Sequence, residues 1–236
     1  MPAPLSIIIP TLNAAGDLPD CLQALMPGLE LGMIREVIVS DGGSEDATPR
    51  IAGDTGATFL TGAKGRGAQL AAGANAARGD WLLFLHADTI LSPDWAERAA
   101  QPEPSPRPGH GAHRLAQQAH DEHHEREHHD RAARWLEARA NRRARILGLP
   151  YGDQGLLISR KLYEAVGGFA DVPLMEDVMI ARALGKKRLV LLSAEARTSA
   201  EKYERDGWRK RAWSNAWLLT RFLMGASPET LAKAYR

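Results

Sequence analysis

Apolar residues in the first hundred positions fall into short runs, each followed by a polar break. Leu5 to Ile9, Glu36 to Ser40, Ala57 to Leu60 and Trp81 to Leu85 are four such runs. Short runs of this kind, bounded by turn residues, read as strands, and the wholly apolar Trp81 to Leu85 as one buried on both faces. Pro10 is expected to close the first, since it has no N–H for a central ladder. Helical stretches separate the runs: Asp17 to Leu25, stopped by Pro27 and Gly28; Thr48 to Gly53; and Ala68 to Ala77, ended by Gly79. This alternation predicts an α/β fold, with a mostly parallel central sheet flanked by helices and right-handed crossovers.

Parallel strands bring their carboxyl ends to one edge, where open α/β sheets bind ligands. All four exits here are polar: Pro10-Thr11-Leu12-Asn13, Asp41-Gly42-Gly43-Ser44, Lys64-Gly65-Arg66-Gly67 and His86-Ala87-Asp88. Their convergence predicts a binding site at that edge. Asp41 is read as a ligand contact rather than a turn cap. Asp88, with His86 beside it, is the candidate metal ligand. Gly65-x-Gly67 is not a dinucleotide fingerprint, because Leu70 stands at its third position and it follows the third strand.

The second half is less uniform. Ser92-Pro93-Asp94-Trp95 starts a helix, and at Gln101 the composition changes. Pro102, Pro104, Pro106 and Pro108 alternate, and seven of the eight histidines lie between His110 and His129. With Leu115 as its only large apolar residue, this segment is expected to be irregular or disordered, since it has little surface to bury against its ordering entropy. His124-Glu125-Arg126-Glu127-His128 matches a zinc-peptidase pattern, but a histidine-rich tract produces that match by chance.

A basic helix to Leu147 follows, then Gly152-Asp153-Gln154-Gly155 and a strand, Leu156 to Ser159. A helix from Lys161 to Val166 stops at Gly167-Gly168-Phe169, and Glu176 and Asp177 open another that runs to Leu184. Leu189 to Leu192 is the last strand expected. The tail from Gly207 is helical and mixes Trp208, Trp213, Trp217 and Phe222 with Arg209, Lys210, Arg211 and Arg221. It either lays these on a membrane surface over 207–225 or buries its Trp residues against the domain.

The net charge of +1 over 236 residues gives no global signal for nucleic acid. One cysteine, Cys21, fits a reducing compartment, and no leader-like or spanning run is present, so a cytoplasmic protein is expected, peripheral to a membrane at most.

The order of these motifs resembles family 2 glycosyltransferases of the GT-A fold. Ile9 to Asn13, Val39 to Thr48, Lys64 to Gly67, His86 to Asp88, Gly167-Gly168-Phe169 and Glu176-Asp177 carry the resemblance. It implies a nucleotide-sugar-binding half over 1–100, a His/Pro-rich insert over 101–131, an acceptor and catalytic half over 132–200, and an amphipathic helical part over 201–236. Pro10, Thr11, Asn13 and Asp41 would contact the nucleotide, and Lys64 and Arg66 would run beneath the donor. Asp153 and Glu176 would join the substrate-binding residues, and Asp177 would be the general base. Asp88 and His86 would hold manganese or magnesium against the diphosphate, with the imidazole favouring manganese.

The implied function is an inverting, metal-dependent transfer of one sugar from a nucleotide-sugar, UDP-linked by preference, to an acceptor hydroxyl. The acceptor stays open, a lipid-linked one among the candidates. Because 101–130 departs from the family, the alternative is a catalytically crippled nucleotide-binding module.

Overall fold

The computed structural model describes residues 3–62, 64–100, 112–120, 155–185, 188–199 and 208–234, and every absence stated below concerns these. Asp153, the zinc-peptidase match and the basic helix to Leu147 lie outside them.

The first half runs β1 (Leu5–Thr11), α1 (Leu18–Gln23), α2 (Met26–Glu30), β2 (Ile34–Asp41), α3 (Thr48–Asp54), β3 (Thr58–Thr61), α4 (Arg66–Ala76), β4 (Trp81–Phe84), β5 (Thr89–Leu91) and α5 (Trp95–Ala100). The second half runs β6 (Ala112–His120), β7 (Leu156–Ser159), α6 (Arg160–Ala165), α7 (Glu176–Leu184), β8 (Leu189–Ser199), α8 (Trp208–Leu223) and α9 (Pro228–Ala234). The strands form one eight-stranded sheet in the order β3-β2-β1-β4-β7-β6-β8-β5. Strands β3, β2, β1 and β4 are mutually parallel, β7 is antiparallel to both its neighbours, and β6 and β8 are parallel to each other.

Period-two alternation in β1 builds both layers of the core. Ile7 and Ile9 face one side with Val39 and Leu83, against Leu18, Cys21, Leu25 and Trp95. Ile8 faces the other with Ile38, Leu82 and Phe84, against Leu70, Ala74, Tyr163 and Ile180. All three isoleucines are fully buried, which contributes about 1.5–3 kcal/mol each. The sheet is therefore a middle layer, with α1 and α5 on one face and α4, α6 and α7 on the other. A third, smaller cluster joins Leu218 and Leu219 of α8 and Leu231 of α9 to Met175 and Val178 at the start of α7.

Several expectations need correction. β1 does not end at Pro10, which pairs opposite Ser40 while Thr11 pairs opposite Asp41. Pro10 faces the same flank as Ile8, whose carbonyl takes the Leu85 N–H at 3.0 Å, and β4 has ended beyond that point. The missing N–H therefore leaves no ladder bond unmade. Pro27 and Gly28 do not stop a helix but lie inside α2, where proline is tolerated in the first turn.

Residues 112–120 of the segment expected to be irregular form β6, held between β7 and β8. β8 runs seven residues past the expected Leu192 because β5 and β6 both pair with its polar half. The exposed Trp213 and Trp217 also exclude burial of those two rings: the face of α8 that meets the domain carries Leu218 and Leu219. No described helix is long and apolar enough to cross a membrane.

Candidate active site

Asp41 closes β2 and is 1% exposed. Its Oδ1 accepts hydrogen bonds from Thr11 Oγ1 at 2.8 Å and Ser44 Oγ at 2.5 Å. Its Oδ2 accepts from the N–H groups of Gly43 at 2.8 Å and Ser44 at 2.7 Å. Burial pushes the carboxyl pKa up, but these donors, Ser44 foremost, outweigh it and hold the group below its ordinary value. Gly43 has φ 94°, the left-handed turn that brings its own N–H and the next onto one oxygen.

Asn13 also takes a left-handed backbone, φ 52°, which Asn tolerates better than most residues. Its N–H donates to Ser44 Oγ at 2.8 Å, and its Oδ1 accepts from Glu45 N–H at 2.9 Å. The exits of β1 and β2 are thus one hydrogen-bonded unit containing Pro10, Thr11, Asn13 and Asp41. As the structure stands, Asp41 holds this unit together with both oxygens engaged.

Gln69 is a residue the sequence reading missed. Its Nε2 donates to Thr11 O at 2.6 Å and to Ser40 O at 2.8 Å, tying α4 to the ends of both strands. The available signal was one buried amide on the helix face that otherwise carries Leu70, Gly73 and Ala74.

The loop before α4 comes to the same edge. Lys64 is exposed, and its Cε would lie 3.9 Å from a Cβ placed on Gly43, so it reaches over the Asp41 turn. Gly67 packs backbone to backbone: a Cβ there would stand 2.3 Å from Ala170 O and 2.9 Å from Val172 O. Arg66, the first residue of α4, pairs through Nε with Oε1 of Glu176, the first residue of α7.

Glu176 is 1% exposed, and its Oε2 is buried with no hydrogen-bond partner. Burial raises its pKa, Arg66 pulls it back, and the neighbouring Asp177 charge raises it again. Asp177 is half-buried, and its Oδ1 accepts from Val178 N–H at 2.7 Å. Met175, just before them, has φ 70°, a conformation that costs a non-glycine residue about 1–3 kcal/mol and tends to cluster at functional sites.

His86 and Asp88 follow β4, both half-buried. His86 O accepts the Thr89 N–H at 3.1 Å, which folds the segment into a tight turn. The buried Cys21 thiol donates to the same carbonyl at 3.4 Å. Burial, helped by the charge of Asp88, pushes that thiol up to about 12, so it stays protonated. Among the described residues no group of three or more His, Cys, Asp or Glu is arranged to hold a metal. A carboxylate and an imidazole two residues apart do suit an ion shared with phosphate oxygens, which needs only one or two protein ligands. The structure therefore brings together the exits of β1 and β2, and separately joins Arg66 to Glu176, all at the carboxyl edge of the parallel strands.

The sequence model "Glycosyl transferase family 2" matches residues 6–166. No curated protein matches the chain. Among solved structures, glucosyl-3-phosphoglycerate synthase from Mycobacterium tuberculosis, in complex with Mn2+, UDP and glucosyl-3-phosphoglycerate, is similar at TM-score 0.55 and 20% identity, over 81% of this chain and 70% of that one. The same synthase is also seen with Mg2+ and UDP. S. aureus TarS 1–349 is similar at TM-score 0.59 and 15% identity, over 83% of this chain and 60% of that one. A mycobacterial protein is similar at TM-score 0.57 and 21% identity, over 83% and 64%. At these identities the likeness speaks for the fold, which is GT-A.

Proposed function

The chain belongs to glycosyl transferase family 2 and is a glycosyltransferase, and on that premise we propose that it moves a single sugar from a UDP-linked donor to an acceptor hydroxyl with inversion at the anomeric carbon. The observation that carries the reading is the convergence at one sheet edge of the Asp41 unit, the loop from Lys64 to Gly67, the His86–Asp88 turn and the Glu176–Asp177 helix start. The UDP and Mn2+ bound by the mycobacterial synthase support the donor class and the metal.

In this mechanism Thr11, Asn13 and the Ser44 turn face the base and ribose, with Pro10 shaping the approach. A direct contact from Asp41 requires one of its hydroxyl donors, Thr11 or Ser44, to turn away. Lys64 and Arg66 bring positive charge to the diphosphate. Asp88 and His86 would hold the divalent ion, whose chemistry is to neutralise charge on the leaving diphosphate. Asp177 takes the proton from the acceptor hydroxyl as its oxygen attacks the anomeric carbon and the bond to the diphosphate breaks. A carboxylate in that role contributes about 10²–10⁴-fold. Asp153 belongs to the acceptor side in this reading.

A lipid-linked acceptor at a membrane surface is part of the same proposal, with the cytoplasm as the compartment. It is supported by α8, which exposes Trp213 and Trp217 opposite its buried leucines, with the Arg221 guanidinium 4.9 Å over the Trp217 ring.

The test is a pair of variants assayed for donor turnover and for UDP binding. Asp177→Asn and Asp88→Ala are both expected to abolish transfer, and only Asp88→Ala to weaken UDP binding. Unchanged transfer in Asp177→Asn contradicts the base assignment. UDP binding by the parent chain without turnover on any acceptor favours the crippled nucleotide-binding module.

A further inference from the structure

Glu176 does not look like a residue that touches substrate. It is 1% exposed, its Oε1 is taken by Arg66, and its Oε2 is sealed from solvent with no partner. Burying a carboxylate is costly unless it is paired and hydrogen-bonded, and here only one of its oxygens is. Arg66 begins α4, at the end of the glycine-rich loop, and Glu176 begins α7, 110 residues later.

Two further contacts act at the same junction. The backbone of Gly67 sits against Ala170 and Val172 so closely that no side chain fits between them. Met175 holds a left-handed backbone directly before Glu176, with its side chain locked among Val178, Leu218, Leu219 and Leu231. The turn at Met175 thus aims Glu176 back at Arg66 and leaves the next residue, Asp177, half-buried at the sheet edge.

We infer that the Arg66–Glu176 pair is a clasp that fixes the start of α7, and with it the Asp177 carboxylate, against the glycine-rich loop, making Glu176 a positioning residue rather than a substrate ligand. This rests on the glycosyl-transfer reading given above. Since Arg66 also lies in the loop assigned to the donor, the clasp ties the donor side of the site to the proposed base.

The test uses the full chain, with UDP-glucose and manganese as the probe, and compares Glu176→Gln and Glu176→Asp with the parent. Hydrogen exchange reads the clasp without any assumption about activity. Both variants are expected to exchange faster over 64–70 and 172–180, and no faster over 36–48. UDP-glucose hydrolysis reads the positioning. Glu176→Gln is expected to lower kcat on the order of 10²-fold, as misplacement by about 1 Å does, with KM changed less than about two-fold. Glu176→Asp, which keeps the charge, is expected to recover part of that loss. Faster exchange over 36–48 as well would mean general unfolding and would overturn the clasp, as would no change anywhere. A raised KM with kcat intact would put the role of Glu176 in donor binding, directly or through Arg66, and overturn the positioning of Asp177. A parent chain that neither binds UDP nor hydrolyses UDP-glucose would overturn the glycosyl-transfer reading and the positioning role with it, while the exchange data would still decide the clasp.

Discussion

Asp41 and Glu176 are both 1% exposed, yet the chain treats them in opposite ways. Asp41 accepts four hydrogen bonds, all from Thr11 and from its own turn. Glu176 leans on a cation 110 residues away and keeps one oxygen unsatisfied. The carboxyl of Asp41 is held below its ordinary pKa and that of Glu176 above it. The lesson is one of assembly. The proposed nucleotide side is built and satisfied locally by the ends of two neighbouring strands. The side that carries the proposed base is held by the long-range Arg66–Glu176 pair, the close packing of Gly67 on Ala170 and Val172, a strained Met175 and the packing of the C-terminal helices.

Breaking the weaker side should cost most. Arg66→Met leaves a buried carboxylate without its cation, a change worth ~3–5 kcal/mol for a fully buried pair. Arg66 is itself 37% exposed, so solvent access reduces the expected loss to ~2–3 kcal/mol. Urea unfolding checks this, and the loss should shrink when Glu176→Met is added, because the stranded charge is then gone. Additive losses in the double variant would mean that the two side chains are not coupled.

The stronger side should respond through pH. A depressed carboxyl contributes stability that is whole above its unfolded pKa, about 3.9 for Asp, and is lost as pH falls through the folded value. A raised one does the reverse: its contribution is whole below its unfolded pKa, about 4.3 for Glu, and is lost as pH rises through the folded value. Asp41→Asn should therefore cost ~1–3 kcal/mol near neutrality and flatten the acid limb of a stability–pH profile. Glu176→Gln should flatten the limb on the other side. Profiles of both variants that keep the parent's shape would refute the contrast.

The smallest effect is expected at the periphery. Replacing Trp213 and Trp217 by Ser should change stability by no more than about 0.5 kcal/mol, since neither ring is buried. The same change should reduce sedimentation with anionic vesicles. Parent protein that does not sediment with such vesicles removes the membrane contact from the account.

What the sequence showed of all this followed from local periodicity. Ile7-Ile8-Ile9 with its polar exit marks a two-sided strand, and the β1 to β4 half could be read in order. Beyond it β7 and the start of β8 could be read as well, but β5, β6 and the polar end of β8 could not. β6 lacks β-branched residues, and the polar end of β8 becomes a strand only through pairing with β5 and β6. Such pairing is a long-range fact that no local pattern carries. The same divide runs through the site. Thr11, Asn13 and Asp41 sit at strand exits and were legible from position, whereas Gln69 looks like any helix residue until its amide is seen between two strand carbonyls. Glu176 and Asp177 could be picked out as a pair, but their different surroundings depend on Arg66 and on the backbone of Met175, neither of which their own sequence announces.

The proposed function requires the strand-exit edge to be a nucleotide-sugar site. Calorimetric titration with UDP and with GDP, each with and without manganese, tests it most directly. UDP is expected to bind, more tightly with manganese than without it and more tightly than GDP under the same conditions. Binding of neither nucleotide, with or without the metal, would contradict it.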